Sequence, residues 1–180
     1  DGSNSFTFNY GDSFRGEVIV DAAGNCYVAS CTDGAGFPTT AGAIQTTYGG
    51  GAQDGVAFCI NPNMSTMIWS TYLGGTGGEM SFGIKQDGAG GVFVGGSTST
   101  ATFPTTPGAY QTAYQGGAAD AFIVHLTNNA TTLAGSTFVG TSGEEHAFFL
   151  QVDIDGDVYI YGQSDAGTFQ IQPATTYGQA

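Results

Sequence analysis

Short apolar runs that alternate with polar residues dominate this chain, and the pattern predicts β-strands. In the middle of the chain four such runs cover Ser81–Gln86, Val92–Ser97, Ala121–Leu126 and Leu133–Val139. Turns of Gly, Asn and Asp separate the runs, and a long connection rich in Thr, Pro, Gly and Tyr joins the second to the third. No segment keeps the apolar spacing of a helix, so we expect an all-β protein.

The pattern repeats at a fixed offset of 66 in the numbering. Phe37–Asp54 matches Phe103–Asp120 at 13 of 18 positions, and no gap interrupts the offset. The turn after the first strand also recurs, with its aspartate at Asp21, Asp87 and Asp153. Four strands per repeat and a period longer than about 40 residues are typical of a β-propeller blade, whereas a β-solenoid has a much shorter period.

These observations predict a β-propeller fragment built from four-stranded antiparallel blades, one blade for each repeat. The 180 residues hold about 2.7 repeats of one partial propeller, with units near 14–79, 80–145 and 146–180. Closed propellers have about 4–8 blades, so this fragment leaves sheet faces that need cover. Either further blades of the same polypeptide or another chain would supply the remaining blades.

The chain is strongly acidic, with a net charge of −13 and only Arg15 and Lys85 as cationic side chains. With so few cations it is a poor candidate for binding nucleic acid or an anionic membrane surface. No apolar run approaches the ~20 residues of a membrane-spanning helix, so we expect no direct membrane insertion.

The three cysteines suggest neither a disulfide framework nor a metal site. Cys26 shares its repeat position with Val92, so we expect a small core residue there. Cys59 shares its position with His125. A bridge from Cys31 to either of the other cysteines is left open by the sequence.

Asp153, Asp155 and Asp157 are the candidate metal ligands. Three carboxylates at alternate positions resemble the start of many Ca²⁺ loops, because a hard cation binds several oxygens at once. The sister turns keep only the first Asp and a Gly, which a hairpin turn requires by itself. The sequence therefore leaves a Ca²⁺ site open for the third unit alone, and it predicts no other cofactor.

Tyr48, Tyr110 and Tyr114 are the candidate ligand contacts. They lie in the Thr- and Pro-rich connections, and tyrosine offers a rigid, amphipathic surface to a protein or glycan. The near-identical recurrence of these connections favours a packing role for them on each blade, so ligand contact is the alternative.

The histidines and the remaining acids suggest no catalytic site. Glu144, Glu145 and His146 are interpreted as a solvated loop between strands, since only one of the two acids recurs in the preceding unit. We expect His125 to be exposed or half-buried, without a partner motif nearby. Catalysis needs a positioned base and nucleophile, so we expect the chain not to be an enzyme.

Several strings resemble the SBBP β-propeller repeat. They are Phe103–Thr112 (FPTTPGAYQT), Gly116–Val124 (GGAADAFIV), Ser70–Gly75 (STYLGG) and the hairpin Val20–Val28 (VDAAGNCYV). The hairpin also resembles NHL-type propeller repeats, and that analogy makes the strand before Asp21, Asp87 or Asp153 the innermost strand of its blade. The family has no known catalytic residues, so none are implied here.

The resemblance implies a secreted or cell-surface bacterial protein, of the kind that gliding or adhesive Bacteroidetes-type bacteria export through the type IX pathway. The favoured interpretation is a non-catalytic module that binds or displays a protein or glycan partner. One alternative is a structural subunit or spacer in a surface assembly for adhesion, gliding or secretion. A second alternative is part of a propeller enzyme whose active site lies outside this stretch.

Overall fold

The structure, a computed structural model, describes residues 16–166. The outermost parts of the predicted units, residues 14–15 and 167–180, lie outside the described residues. The described part of the chain contains ten strands and no helix. The strands are β1 (Glu17–Val20), β2 (Cys26–Thr32), β3 (Asp54–Ile60), β4 (Met67–Leu73), β5 (Glu79–Gln86), β6 (Val92–Thr98), β7 (Asp120–Thr127), β8 (Thr132–Val139), β9 (Glu145–Val152) and β10 (Val158–Ser164).

The strands form three antiparallel sheets, which we number as blades. Blade 1 has the order β1-β2-β3-β4, blade 2 the order β5-β6-β7-β8, and blade 3 contains β9 and β10. Strands that are neighbours in the chain are neighbours in each sheet, so every blade is a meander. The prediction of an all-β propeller fragment with four-stranded antiparallel blades is confirmed.

The strands of blade 2 begin slightly earlier than the apolar pattern predicts. β5 begins at Glu79 and β7 begins at Asp120, so each strand gains an acidic residue at its start. Both acids pair with Thr98, which lies between them in the middle of the sheet. The apolar pattern cannot include these polar residues, although the backbone ladder extends over them.

Each blade's first hairpin closes on a side-chain-capped turn. Oδ1 of Asp21 accepts a hydrogen bond from the backbone N–H of Asn25 at 2.8 Å, and Oδ1 of Asp87 accepts one from Gly91 at 2.8 Å. Gly24 and Gly90 adopt the left-handed conformation, with φ of 86° and 97°. An aspartate that caps the turn and a glycine at positive φ are what such a turn requires.

The blades stack through their first strands. β5 contacts β1, β2 and β3, and β9 contacts β5, β6 and β7. The succession β1–β5–β9 agrees with the innermost position that the NHL analogy implied for these strands. Blade 3 approaches blade 2 closely at Gly95, where a Cβ would lie 3.2 Å from the Leu150 side chain.

One apolar core runs through the blade 1–blade 2 interface. Trp69, Leu73, Ile84, Phe122 and Phe138 are among its largest members, and each is at most 3% exposed. Because both sheets contribute to this core, neither blade packs on its own.

The long connections cover the outer edges of blades 1 and 2. In blade 1 the backbone N–H of Thr40 donates to the Ser70 carbonyl (3.1 Å), and the N–H of Tyr72 donates to the Gln45 carbonyl (3.0 Å). Thr106 and Ser136 repeat the first of these bonds in blade 2 at 3.0 Å. An uncovered edge strand invites aggregation, so these connections protect the sheet.

The two outer faces of the described stack are open. Val18 and Val20 of β1 are 61% and 58% exposed, and Tyr161 of β10 is 67% exposed. Cys26 is half-buried, whereas its repeat equivalent Val92 is fully buried, because no blade covers the outer face of blade 1 in the described residues. Within residues 16–166 no helix is long and apolar enough to cross a membrane.

Candidate functional site

Two of the three candidate tyrosines stabilise the long connections in which they lie. The hydroxyl groups of Tyr48 and Tyr114 donate to the carbonyls of Gly51 and Gly117, at 3.0 and 3.1 Å. Their rings pack edge-on against Tyr72 and Phe138 of the outer strands. These contacts recur from blade to blade and favour the packing role.

Tyr110 differs from the other two tyrosines. It is 51% exposed, and its repeat equivalent in blade 1 is Ile44, which packs against the core. Tyr110 is therefore the candidate ligand contact that is both accessible and specific to one blade.

The turn between β9 and β10 contains Asp153, Asp155 and Asp157. The side chain of Asp153 caps this turn. Oδ1 of Asp153 accepts hydrogen bonds from the N–H groups of Asp155 (3.0 Å) and Asp157 (2.9 Å), and Oδ2 accepts one from the Tyr159 hydroxyl (3.0 Å). The Asp157 N–H contributes most to holding the pKa of Asp153 below its ordinary value. Among residues 16–166, no three His, Cys, Asp or Glu side chains form a group that could hold a metal ion. The Ca²⁺ site stays a prediction, which needs these side chains to rearrange around the ion.

A set of buried carboxylates lies where each blade passes into the next. At the blade 1–blade 2 junction, Oδ2 of Asp54 accepts hydrogen bonds from the Gly49 N–H (2.8 Å) and from Nε2 of Gln45 (3.3 Å). Oε1 of the same Gln45 accepts the Gly74 N–H at 3.0 Å, and Oε2 of Glu79 accepts the Gly75 N–H at 2.7 Å. Side chains from both blades thus hold the glycine turn that links them.

The blade 2–blade 3 junction repeats this arrangement at the equivalent positions of the next unit. Oδ2 of Asp120 accepts the Gln115 N–H at 2.6 Å, and Oε1 of Gln111 accepts the Gly140 N–H at 2.8 Å. Glu145 accepts the Thr141 N–H at 2.8 Å. Asp54, Asp120, Glu79 and Glu145 are all at most 1% exposed, so these carboxylates are structural parts of the core.

Asp120 is the least supported carboxylate of the four. In blade 1 the Gln45 side chain donates to Asp54, but in blade 2 the equivalent Nε2 of Gln111 donates to the Gly140 carbonyl instead (3.0 Å). Within the described residues, Oδ1 has no hydrogen-bond partner in either aspartate, so the missing Gln111 bond is what distinguishes Asp120 from Asp54. Burial, with a contribution from nearby Glu145, raises the pKa of Asp120 to about 6.

The pKa values of Asp54 and Glu79 are shifted in the same direction, and burial is again the main cause. Burial raises the pKa of Asp54, against hydrogen bonds from Gly49 and Gln45 that lower it. Burial also raises the pKa of Glu79. No Lys or Arg offsets these charges in the described residues, because Lys85 is paired with Glu17 at 2.9 Å.

The expectation of a solvated loop at Glu144–His146 is wrong. Glu145 opens β9 and is 1% exposed, and its carboxylate accepts hydrogen bonds from the hydroxyls of Thr141 and Ser164, both at 2.6 Å. His146 is 3% exposed and lies 3.0 Å from the Glu144 carboxylate. The strand starts two residues earlier than the apolar pattern indicated, and it carries these polar groups into the blade interface.

His125 is half-buried, as expected, but it has a partner in the neighbouring hairpin. Its Nε2 lies 2.8 Å from Oδ2 of Asp87, and its ring stacks on Phe93 with a centroid distance of 4.2 Å. Burial opposes the ionisation of Asp87, but hydrogen bonds from His125 and from backbone N–H groups hold its pKa below the ordinary value. Phe93, His125 and Tyr110 line an open hollow of about 390 Å³ on blade 2.

The cysteines carry free thiols, so neither of the considered bridges is present. Cys59 is buried beside Tyr27, and burial raises the pKa of its thiol to about 11. A thiol with such a pKa is not a nucleophile at neutral pH.

One segment of the chain matches a known protein family. Residues 68–104 match the SBBP model, described as a beta-propeller repeat. The chain carries an SBBP-type propeller repeat. The matched segment runs from β4 through β6 and into the next connection, so it includes the Gly74–Glu79 turn with its buried carboxylate. A search of curated proteins found no match to the chain.

Sequence reasoning missed the junction carboxylates, although a signal for them was present. Asp54 and Asp120 end the most nearly identical stretch of the two repeats, and Gly74 and Gly140 share one repeat position. A Cβ at either glycine would overlap the carboxylate of Asp54 or Asp120, respectively. An acid at the start of one apolar run and a glycine directly after the next run, recurring together, therefore indicate a buried turn.

Proposed function

We propose that this chain is part of a secreted or cell-surface β-propeller that binds or displays a protein or glycan partner and catalyses no reaction. A module of this kind would serve adhesion, gliding motility or export through the type IX pathway, as the resemblance to SBBP proteins implies.

The observation that carries the proposal is the contrast between repeated and non-repeated polar groups. The buried acids recur at both blade junctions and are tied to backbone donors of the turns, as at Glu79 and Glu145. Tyr110 and His125 do not recur, since Ile44 and Cys59 take their places in blade 1, and they line one hollow. A surface whose aromatic and polar groups are specific to one blade supports selective binding.

The test compares the chain with a variant that carries the blade 1 residue. Labelled wild-type protein is applied to a glycan array and to blotted envelope proteins of Bacteroidetes-type bacteria. We expect saturable binding that falls about tenfold in Tyr110→Ile, because an aromatic contact of this kind contributes on the order of 1–2 kcal/mol.

Thr112→Ala is the matched control, since Thr112 is exposed in the same connection. This variant should bind like the wild type. Absence of saturable binding in both assays would show the proposal to be wrong. If Tyr110→Ile binds as tightly as the wild type, Tyr110 is not part of the binding surface.

The open sheet faces favour a structural role as the second candidate. The exposure of Val18, Val20 and Tyr161 at opposite ends of the stack suits a spacer held between neighbouring parts of a surface assembly. Such a spacer would bind no glycan, and the array experiment separates the two roles.

A further inference from the structure

The turn between the first two strands of each blade uses only one oxygen of its aspartate for the backbone. In blade 2, Oδ1 of Asp87 accepts the N–H groups of Ala89 (2.7 Å) and Gly91 (2.8 Å). Asp21 and Asp153 cap the sister turns through the same oxygen. The second oxygen, Oδ2, depends on side chains for its hydrogen bonds.

Blades 1 and 3 supply this bond with a tyrosine hydroxyl. Tyr27 donates to Oδ2 of Asp21 at 3.2 Å, and Tyr159 donates to Oδ2 of Asp153 at 3.0 Å. In blade 1, Nδ2 of Asn25 adds a second donor at 2.8 Å. Burial raises the pKa of the Tyr27 phenol to about 12, so this donor keeps its proton at every physiological pH.

Blade 2 lacks both kinds of donor, because Phe93 and Gly91 stand at the repeat positions of the tyrosine and the asparagine. The bond comes instead from β7, where Nε2 of His125 lies 2.8 Å from Oδ2 of Asp87. Blade 1 has Cys59 at the position of this histidine. Among residues 16–166, His125 is the sole partner of Oδ2, so the histidine compensates for the two lost donors.

The surroundings of the pair strengthen the attraction between an imidazolium and a carboxylate. The side chains of Asp87 and His125 are 9% and 27% exposed, so water screens their attraction only in part. The imidazole stacks on Phe93 with a centroid distance of 4.2 Å, and an aromatic face stabilises a cation. Burial raises the pKa of Asp87, but the bond from His125 leads the contributions that hold it below its ordinary value.

Few other titratable groups of blades 1 and 2 face this imidazole. β6 and β8, the two strands that pair with β7, carry no titratable side chain. β5 carries Lys85, whose ammonium group is paired with Glu17 of β1 at 2.9 Å. The connection contributes the phenol of Tyr110, which lines the same hollow as His125.

Blade 3 places its titratable groups at both ends of β7. Glu145 and His146 open β9 near Asp120, which precedes His125 by five residues, or about 17 Å along the strand. The turn Asp153–Asp157 is the repeat equivalent of the β5–β6 turn and lies at the same end of the stack. Negative charge in that turn attracts an imidazolium as well.

We propose that blade 2 contains a pH-sensitive clip, in which protonated His125 fastens the β5–β6 turn to β7 and loosens it when the imidazole loses its proton. The sister turns use hydroxyl groups, so the clip is confined to blade 2 in the described part of the chain. Both partners belong to blade 2, so the clip does not depend on what packs against the outer face of this blade. It is separate from the proposed binding function and is tested without a ligand.

The clip should stabilise the protein most in mild acid. Histidine changes its charge between about pH 5 and pH 8, and a hydrogen bond between two charged groups is roughly twice as strong as a neutral one. A base that gains a partner on folding contributes its stability at low pH and loses it as the pH rises.

The test exchanges blade 2 residues for those of blade 1. His125→Cys, Phe93→Tyr and the double variant are compared with the wild type by urea unfolding under reducing conditions at pH 5.5 and pH 8. We expect His125→Cys to lower the folding equilibrium constant about tenfold at pH 5.5, and by less at pH 8, because it removes a charge-assisted hydrogen bond. The double variant should recover this loss at both pH values, because the new hydroxyl can donate to Asp87 as Tyr27 donates to Asp21.

Asp120 is present in all four proteins, so its own pH dependence cancels in the comparison. Hydrogen exchange, corrected for its intrinsic pH dependence, gives a second readout. Protection of the turn Asp87–Gly91 should fall between pH 5.5 and pH 8 relative to the control turn Asp21–Asn25, which a tyrosine holds.

His125→Gln serves as a second variant if His125→Cys does not fold. Its amide keeps a neutral Nε2 donor, so the turn should lose its pH dependence and keep its protection. An equal pH dependence of the wild type and the double variant overturns the inference. A loss in His125→Cys that Phe93→Tyr does not restore overturns it too.

Discussion

Asp120 should make the protein more stable in mild acid than at neutral pH, which is the reverse of ordinary acid denaturation. Its carboxyl group is fully buried, has one oxygen without a partner in the described residues, and has a pKa raised to about 6 from an ordinary value of 3.8. Folded protein thus keeps this proton up to about pH 6, whereas unfolded protein releases it near pH 4.

The direction of this pH dependence follows from the number of protons bound by the folded and the unfolded state. Between about pH 4 and pH 6 the folded state binds more protons than the unfolded state, so the free energy of unfolding falls as the pH rises through this window. The gap between the two pKa values corresponds to about 3 kcal/mol. Asp54 and Glu79, whose pKa values are also raised by burial, act in the same direction.

The assay is urea unfolding at a series of pH values from 4.5 to 8, compared between wild type, Asp120→Asn and Asp155→Asn. The amide of Asp120→Asn cannot ionise, so this variant should lose up to about 3 kcal/mol of the pH dependence. At pH 8 it should be at least as stable as the wild type, although an unpaired amide group costs part of the gain, about 1–3 kcal/mol.

Asp155 is exposed in a turn, and Asp155→Asn should keep the wild-type profile. The reasoning is refuted if wild-type stability rises between pH 4.5 and pH 7.5, or if Asp120→Asn keeps the full slope.

Three further changes test the junctions and the metal hypothesis. Gly140→Ala should destabilise the protein by about 1–3 kcal/mol, because its Cβ overlaps the Asp120 carboxylate, while Gly135→Ala should be within about 0.5 kcal/mol of wild type in the same urea titration. Trp69→Ala should cost about 3–5 kcal/mol by removing a large buried side chain from the contact between blades 1 and 2, and a loss below about 1 kcal/mol would contradict that packing. Calcium should raise the thermal midpoint of wild type and have no effect on Asp155→Ala, and an unchanged wild-type midpoint would end the Ca²⁺ hypothesis.

The fold could be predicted from the sequence because the same pattern of strands and turns recurs in every repeat. The apolar runs Val92–Ser97 and Ala121–Leu126 lie within β6 and β7, and the turn aspartates Asp21 and Asp87 cap their hairpins. A pattern that recurs at a fixed offset separates the residues that a blade requires from those that vary. The strands and turns can therefore be assigned even though no single segment has a strong sequence signal.

The candidate site was harder to predict, because its chemistry depends on contacts between blades. The sequence pattern places Glu145 in a loop next to Glu144, but three hydrogen-bond donors, two from Thr141 in the preceding turn and one from Ser164 in β10, hold it in the interface. Asp87 and His125 lie 38 residues apart in the chain and meet only because β6 and β7 pair. Hydrophobic periodicity reports which side chains are apolar, and it cannot report which polar groups find buried partners.

The central claim is that the blade-specific surface around Tyr110 binds a partner. The most direct test is hydrogen–deuterium exchange of the chain alone and when saturated with the glycan or envelope protein that gives the strongest signal on the arrays. The account predicts slower exchange in the connection Thr105–Tyr114 and in β10, whose second edge has no strand in the described residues. Protection confined to β1 and the outer face of blade 1, with no change around Tyr110, would contradict it.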